Sequence, residues 1–262
     1  METVSGFNSI YALPACLVGI LVGLTGVGGG SLMTPLLVLM FGVHPATAVG
    51  TDLLQASITK SVGTVVHGMS DTVEWKIVRR LALGSLPAAA VTIFVLSFFG
   101  LHGDAASRVI SSILGVALVL TAIATLFRRQ VIAFFNARFG EVPEDRNPGF
   151  TVVLGAVIGA LVSLTSVGAG AIGVTALILL YPKLPLSRIV GSDIAHAVPL
   201  TLLAGLGHLY LGTIDWGLLG SLLLGSIPGI IIGSLIASRV PELLLRPALA
   251  TTLLLVGTKL VY

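Results

Sequence analysis

The chain has 262 residues, 55% hydrophobic and 10% charged, and a mean hydropathy of +1.07. Soluble domains carry about 25% charged residues, so a water-soluble globule is excluded and an integral membrane protein is implied. The net charge of +3 comes from basic residues scattered in membrane-flanking turns, which reads as loop bias and not as affinity for nucleic acid.

Met1 to Asn8 has no basic n-region, so no cleavable signal peptide is expected, and Pro14 begins the first apolar stretch. Five apolar segments follow, at 10–26, 31–43, 46–67, 77–99 and 106–127. The polar stretch Arg128 to Pro148 interrupts, and five more come at 150–166, 171–181, 187–209, 217–238 and 242–261. Most approach the roughly 20 residues that a helix needs to cross a bilayer. No ten-residue alternation appears, which argues against an outer-membrane barrel. Segments 31–43 and 171–181 span only ~20 and ~17 Å, short of a hydrocarbon core of about 30 Å. Each is expected to form, with the segment before it, a broken re-entrant hairpin with a glycine cluster at its tip. The lone Cys16 excludes an intramolecular disulfide and multi-cysteine metal sites, and its expected role is buried filler.

The two halves repeat each other. At a shift of 140, Gly19, Leu24, Thr25, Val27, Gly28, Gly30 and Pro45 match Gly159, Leu164, Thr165, Val167, Gly168, Gly170 and Pro185. After one inserted residue, Gly50, Asp52, His67, Thr72, Trp75, Gly84, Ser85 and Pro87 match Gly191, Asp193, His208, Thr213, Trp216, Gly225, Ser226 and Pro228. Glycines alone could align by chance in so glycine-rich a chain; Asp, His and Trp together do not readily do so.

Loop charge selects the topology. With Lys60 set aside, parallel repeats divide the basic residues eight against five. Inverted repeats leave only Arg108 and Lys259 opposite the other eleven. The positive-inside rule favours inversion. The expected fold is an all-α membrane protein of two inverted-topology repeats, residues 1–127 and 149–262. A cytoplasmic linker at 128–148 joins them in one integrated membrane domain.

Inversion brings both glycine tips toward mid-bilayer, where backbone groups freed from a helix survive only when buried or lining a cavity. Paired interrupted segments point to a transporter's substrate site. Unpaired N–H groups and the positive end of the helix dipole make each tip a seat for an anion. The candidate substrate residues are Thr25, Gly26, Gly28, Gly29, Gly30 and Ser31 at the first tip, with Thr34 near it. At the second they are Thr165, Ser166, Gly168, Ala169 and Gly170. Close helix packing through small residues is the rival reading. A nucleotide motif fails, since no Lys-Ser/Thr follows Gly30.

At these residues the chain resembles the sulfite exporter TauE/SafE family. The carriers are Gly23-Leu24-Thr25-Gly26-Val27-Gly28-Gly29-Gly30 and Thr165-Ser166-Val167-Gly168-Ala169-Gly170. Ala48-Val49-Gly50-Thr51, Ile189-Val190-Gly191-Ser192, Gly84-Ser85-Leu86-Pro87 and Gly225-Ser226-Ile227-Pro228 also fit. The resemblance runs from about Phe7 to the C-terminus. It implies a polytopic bacterial-type inner-membrane permease for small sulfur-containing anions such as sulfite or organosulfonates. The second tip departs from the pattern, with Ser166 for Gly26 and Ala169 for Gly29, and is expected to be tighter.

Polar residues at membrane depth are rare and usually face the interior. Asp52, Gln55, Thr59, Lys60, Gly63 and His67 share one helical face, as do Asp193, His196, Thr201 and His208. One reading makes Asp52, Gln55, Lys60, Asp193 and His196 a pathway that couples protons to an anion. The other makes the aspartates caps of a broken helix end or holders of a structural hydrogen bond, Lys60 a snorkelling side chain, and His67 and His208 interfacial packing. Trp75 and Trp216 read as interfacial anchors; Pro87 and Pro228 mark a kink, a packing contact or a hinge. The function expected is secondary transport by alternating access, with a passive anion channel as the alternative. A membrane-embedded enzyme is disfavoured: HExxH and clustered Cys/His ligands are absent, and no Ser/His/Asp set lies outside the symmetric positions. No catalytic residue, metal or cofactor is expected. The partners are the anion, protons and the lipid bilayer.

Overall fold

The computed structural model describes residues 11–25, 30–69, 72–99, 104–139, 147–167 and 170–236, with short pieces at 251, 254–255 and 258–259. Gly26, Gly28, Gly29, Gly168, Ala169 and most of segment 242–261 lie outside the described residues, as do the side chains of Thr25, Ser31 and His67. What is described is helix and turn, without a strand. The helices are α1 (Ala12–Thr25), α2 (Gly30–Phe41), α3 (Pro45–Met69), α4 (Trp75–Phe99) and α5 (Asp104–Leu126). Next come α6 (Arg128–Phe139), α7 (Asn147–Thr165), α8 (Ala171–Leu180), α9 (Leu186–Tyr210) and α10 (Trp216–Ile236). The polar stretch after residue 127, read from sequence as a linker, thus contains a helix of its own, α6.

Helix boundaries follow local chemistry. Pro45 opens α3, where a missing N–H costs nothing. Asp215 caps α10 by accepting from the Leu218 N–H at 2.9 Å. Gly42, at φ +64°, follows the end of α2 in the left-handed region that a β-carbon disfavours. Helices α4, α5, α7, α9 and α10 are long and apolar enough to cross a membrane. Helix α3 matches α4 in length at 25 residues, but the polar row from Asp52 to Lys60 lowers its hydropathy. Leu17, Leu83, Phe94, Phe98, Leu206 and Leu224 are exposed, an outward apolar surface suited to lipid. Trp75 and Trp216 begin α4 and α10 and are also exposed.

Two helix pairs approach backbone to backbone. A β-carbon at Gly225 would fall on the carbonyl of Ala12, at Gly229 on Cys16 and at Gly233 on Ile20, so α1 and α10 run parallel. Gly84 meets Val152, Gly155 meets Leu81 and Gly159 meets Ser85, so α4 and α7 also run parallel. Small residues permit such approach where lipid supplies no hydrophobic drive between helices. The pairing is reciprocal between the halves: Gly225 on Ala12 mirrors Gly84 on Val152, and Gly19 on Ser226 mirrors Gly159 on Ser85.

Between these pairs lie α3 and α9. Gly205 abuts Leu54 while Gly63 approaches Ile194, so the two run antiparallel. Their starts are tied reciprocally. The Glu74 N–H donates to Ser192 Oγ (2.8 Å), and the Asp215 N–H donates to Thr51 Oγ1 (3.1 Å). Tyr11, just before α1, packs edge-on against Phe41 at the end of α2, with ring centroids 4.7 Å apart. Thr151 in the first turns of α7 lies 2.8 Å from the hydroxyl of Tyr181 beyond α8.

Gly84→Ala and Gly225→Ala should each lower stability by about 1–3 kcal/mol through overpacking. Gly149→Ala, where a β-carbon meets nothing within 4 Å, should be nearly neutral. Thermal unfolding of the three variants in detergent checks the contrast.

Candidate functional site

Buried polar side chains from both halves converge along α3 and α9. Asp52, Gln55, Thr59 and Lys60 on α3 are buried, as are Asp193, His196 and Thr201 on α9. Each must find a partner, because an unpaired polar group at this depth is costly.

Asp52 is held from two directions. Thr34 on α2 donates to its Oδ2 at 2.5 Å, and Ser166 at the second tip donates to the same oxygen at 2.9 Å. Asp52 Oδ1 has no hydrogen-bond partner among the described residues. Ser166 takes φ 58°, a left-handed conformation that glycine adopts freely and serine does not. The repeat places Gly26 at the corresponding position, so the exchange of glycine for serine trades backbone freedom for a hydroxyl on Asp52. Thr165 points inward locally, donating to the Leu161 carbonyl (2.7 Å). The two hydroxyls expected to face a substrate are thus engaged with the protein. Gly170 precedes α8, whose start carries no side-chain cap.

Asp193 is tied less tightly. Its Oδ1 has no partner among the described residues, and a β-carbon at Gly173 would come within 2.7 Å of that oxygen. The charges of Lys60 and Arg128 act on it, and Arg128 Nε reaches Thr175 at 3.4 Å.

The serine of each Gly-Ser-x-Pro motif reaches across to the other half. Ser85 Oγ on α4 lies 2.7 Å from His196 Nε2 on α9. Ser226 Oγ on α10 lies 3.2 Å from Thr59 Oγ1 on α3. Gln55, the counterpart of His196, donates to Thr59 Oγ1 at 3.0 Å, and Thr59 donates to the Gln55 carbonyl at 2.8 Å. The candidate list from sequence omits Ser85 and Ser226 as site residues. Their signal was the repeat itself, which matches both. His196 Nδ1 has no partner among the described residues. His208 is structural: Nδ1 lies 2.9 Å from Thr213 Oγ1 and Nε2 lies 2.9 Å from the Ser163 carbonyl.

Lys60 does not snorkel. It is 6% exposed and lines a cavity of about 10 Å³ with Gly19, Val22, Gln55 and Thr59. Both aspartates lie inside their own helices, α3 and α9, and Asp52 holds structural hydrogen bonds from Thr34 and Ser166. No group of three or more metal-ligating side chains occurs among the described residues.

The family model for the sulfite exporter TauE/SafE matches residues 11–260. The chain is 40% identical over 207 residues to the probable membrane transporter protein YjnA of Bacillus subtilis, covering 79% of this chain and 81% of the relative. It is 27% identical to the probable membrane transporter protein YdhB of the same organism, over 78% of this chain and 79% of the relative. It is also 27% identical to the probable membrane transporter protein MJ0441 of Methanocaldococcus jannaschii, over 72% and 67%. No solved structure gives a significant match.

Thr34→Val removes one of the two hydroxyls on Asp52 and should destabilise by about 1–3 kcal/mol, the range for a buried acceptor losing its donor. Thr34→Ser should recover most of the loss in the same thermal-unfolding measurement.

Proposed function

Because the chain belongs to the sulfite exporter TauE/SafE family, we propose that it is a secondary transporter of a small sulfur-containing anion, sulfite or an organosulfonate. It works by alternating access in a bacterial-type inner membrane. The observation that carries this reading is the buried polar centre on α3 and α9, to which both halves contribute reciprocally. Such intramembrane polar groups mark substrate and ion pathways.

On this reading the halves are inverted-topology repeats, each opened by a re-entrant hairpin. Support comes from the antiparallel α3 and α9, since helices equivalent in sequence run oppositely only when the repeats are inverted. The Thr151–Tyr181 and Tyr11–Phe41 contacts support hairpins whose ends return to the side they entered. The uncapped start of α8 and the corresponding start of α2 offer backbone N–H groups to the anion's oxygens.

Coupling is assigned to Asp193, with His196 one turn away. Protonated, the carboxyl donates to the anion; ionised, it repels the anion, so proton and substrate move together. In proteoliposomes, Asp193→Asn should bind substrate yet lose the stimulation of transport by a pH gradient. Asp52→Asn should lose less of it, because Gln55 stands where the second half has His196. Transport by Asp193→Asn that still follows the pH gradient would return the aspartates to a structural role.

Topology has its own test. In a Cys16→Ser background, cysteines at Trp75 and in the 128–148 linker should be labelled from the cytoplasm, and one at Gly212 from the opposite side. Trp75 and the linker on different sides would overturn inversion.

A further inference from the structure

A lysine buried at membrane depth without a partner calls for an explanation. Lys60 is 6% exposed and makes no side-chain hydrogen bond or ion pair among the described residues. Its charge acts on both Asp193 and Asp52. Antiparallel packing brings Gly63, one turn beyond Lys60, to Ile194 beside Asp193, while Asp52 lies two turns back along α3. Lys60 has no equivalent cation in the other half: at the repeat shift of 141 its counterpart is Thr201. The cavity it lines is bounded by Gly19 and Val22 of α1 and by Gln55 and Thr59 of its own helix.

The charged surroundings are few. Helices α2, α7 and α10, packed on α3, contain no Asp, Glu, His, Lys or Arg, and α5 carries only Asp104 and Arg108 at its start. From α9 come Asp193 and His196, with His208 near its end. Arg128 of α6 acts on Asp193. A low-dielectric site tolerates little net charge.

We infer that Lys60 is the counter-charge of a single anion seat between α1 and α3, shared in alternation between the substrate and the Asp193 carboxylate. This rests on the transporter reading and narrows it to a singly charged oxyanion. With the seat empty, the Asp52 and Asp193 carboxylates balance Lys60 and Arg128. When an anion takes the lysine's charge, a proton from solvent neutralises Asp193, so anion and proton enter together. A doubly charged guest leaves an excess negative charge that the two cations do not balance. Only one half has the cation, so one seat serves the protein despite its doubled architecture.

The test uses the full chain in detergent at constant ionic strength, with methanesulfonate and isethionate as singly charged probes and sulfate as the doubly charged one. Wild type should bind a sulfonate more tightly than sulfate. Lys60→Met should weaken sulfonate binding at least about tenfold, in line with loss of one partner of a buried charge pair, while Lys60→Arg stays within about threefold. Asp193→Asn, which removes the competing carboxylate, should bind as tightly as wild type or more tightly. Unchanged affinity in Lys60→Met, weaker binding in Asp193→Asn, or preference for sulfate overturns the inference and leaves the anion-transporter reading standing. Wild type that binds none of the three overturns the inference, and wild type that also fails to bind sulfite overturns both. If Lys60→Met does not fold, the Arg and Asp193→Asn variants still decide.

Discussion

The close approach of α1 to α10 and of α4 to α7 is the constraint on which the rest of the structure depends. In water a helix pair is held by apolar side chains leaving solvent; in lipid that drive is absent, and association relies on intimate packing. Glycine at 84, 155 and 159 and at 225, 229 and 233 lets backbone meet backbone. Each pair joins a helix of one half to a helix of the other. The halves therefore interlock, and neither completes its packing without its partner.

That interlocking sets the polar centre. Gly84 and Gly225 press their helices onto α7 and α1, which turns the next residue, Ser85 or Ser226, toward α9 or α3. One dipeptide thus does two jobs, close packing through the glycine and polar satisfaction through the serine. His196 and Thr59 depend on serines from the opposite half, so a shift of either helix pair alters the partners available at the centre. The packing of the halves and the polar contacts at the centre are thus set by the same residues.

The pseudo-symmetry stops at the charged residues. Asp52 is clamped by Thr34 and Ser166, and the left-handed backbone at Ser166 holds one clamp in place. Among the described residues Asp193 has no equivalent pair of hydroxyls; Lys60 acts on both carboxylates and Arg128 on Asp193. Two positions identical in sequence have become a braced carboxylate and a loosely held one. A structure of repeated halves can in this way hold equivalent residues in unequal surroundings.

Composition and periodicity by themselves determined the membrane class, the apolar helices among the described residues to within a few residues, and the repeat that pairs Asp52 with Asp193 and Ser85 with Ser226. These are local or pairwise properties, since hydropathy is summed along the chain and the repeat is a comparison of the chain with itself. Sequence also grouped Asp52 with Lys60, because residues on one face of one helix are neighbours by helical geometry. The antiparallel crossing of α3 and α9 added a second carboxylate, Asp193, to the one already near Lys60. It fell to the tertiary structure, too, that Thr165 and Ser166 turn to the protein, and that α6 forms within the polar stretch. Which groups meet across a membrane core depends on the direction and depth at which helices cross, and no single helix encodes either.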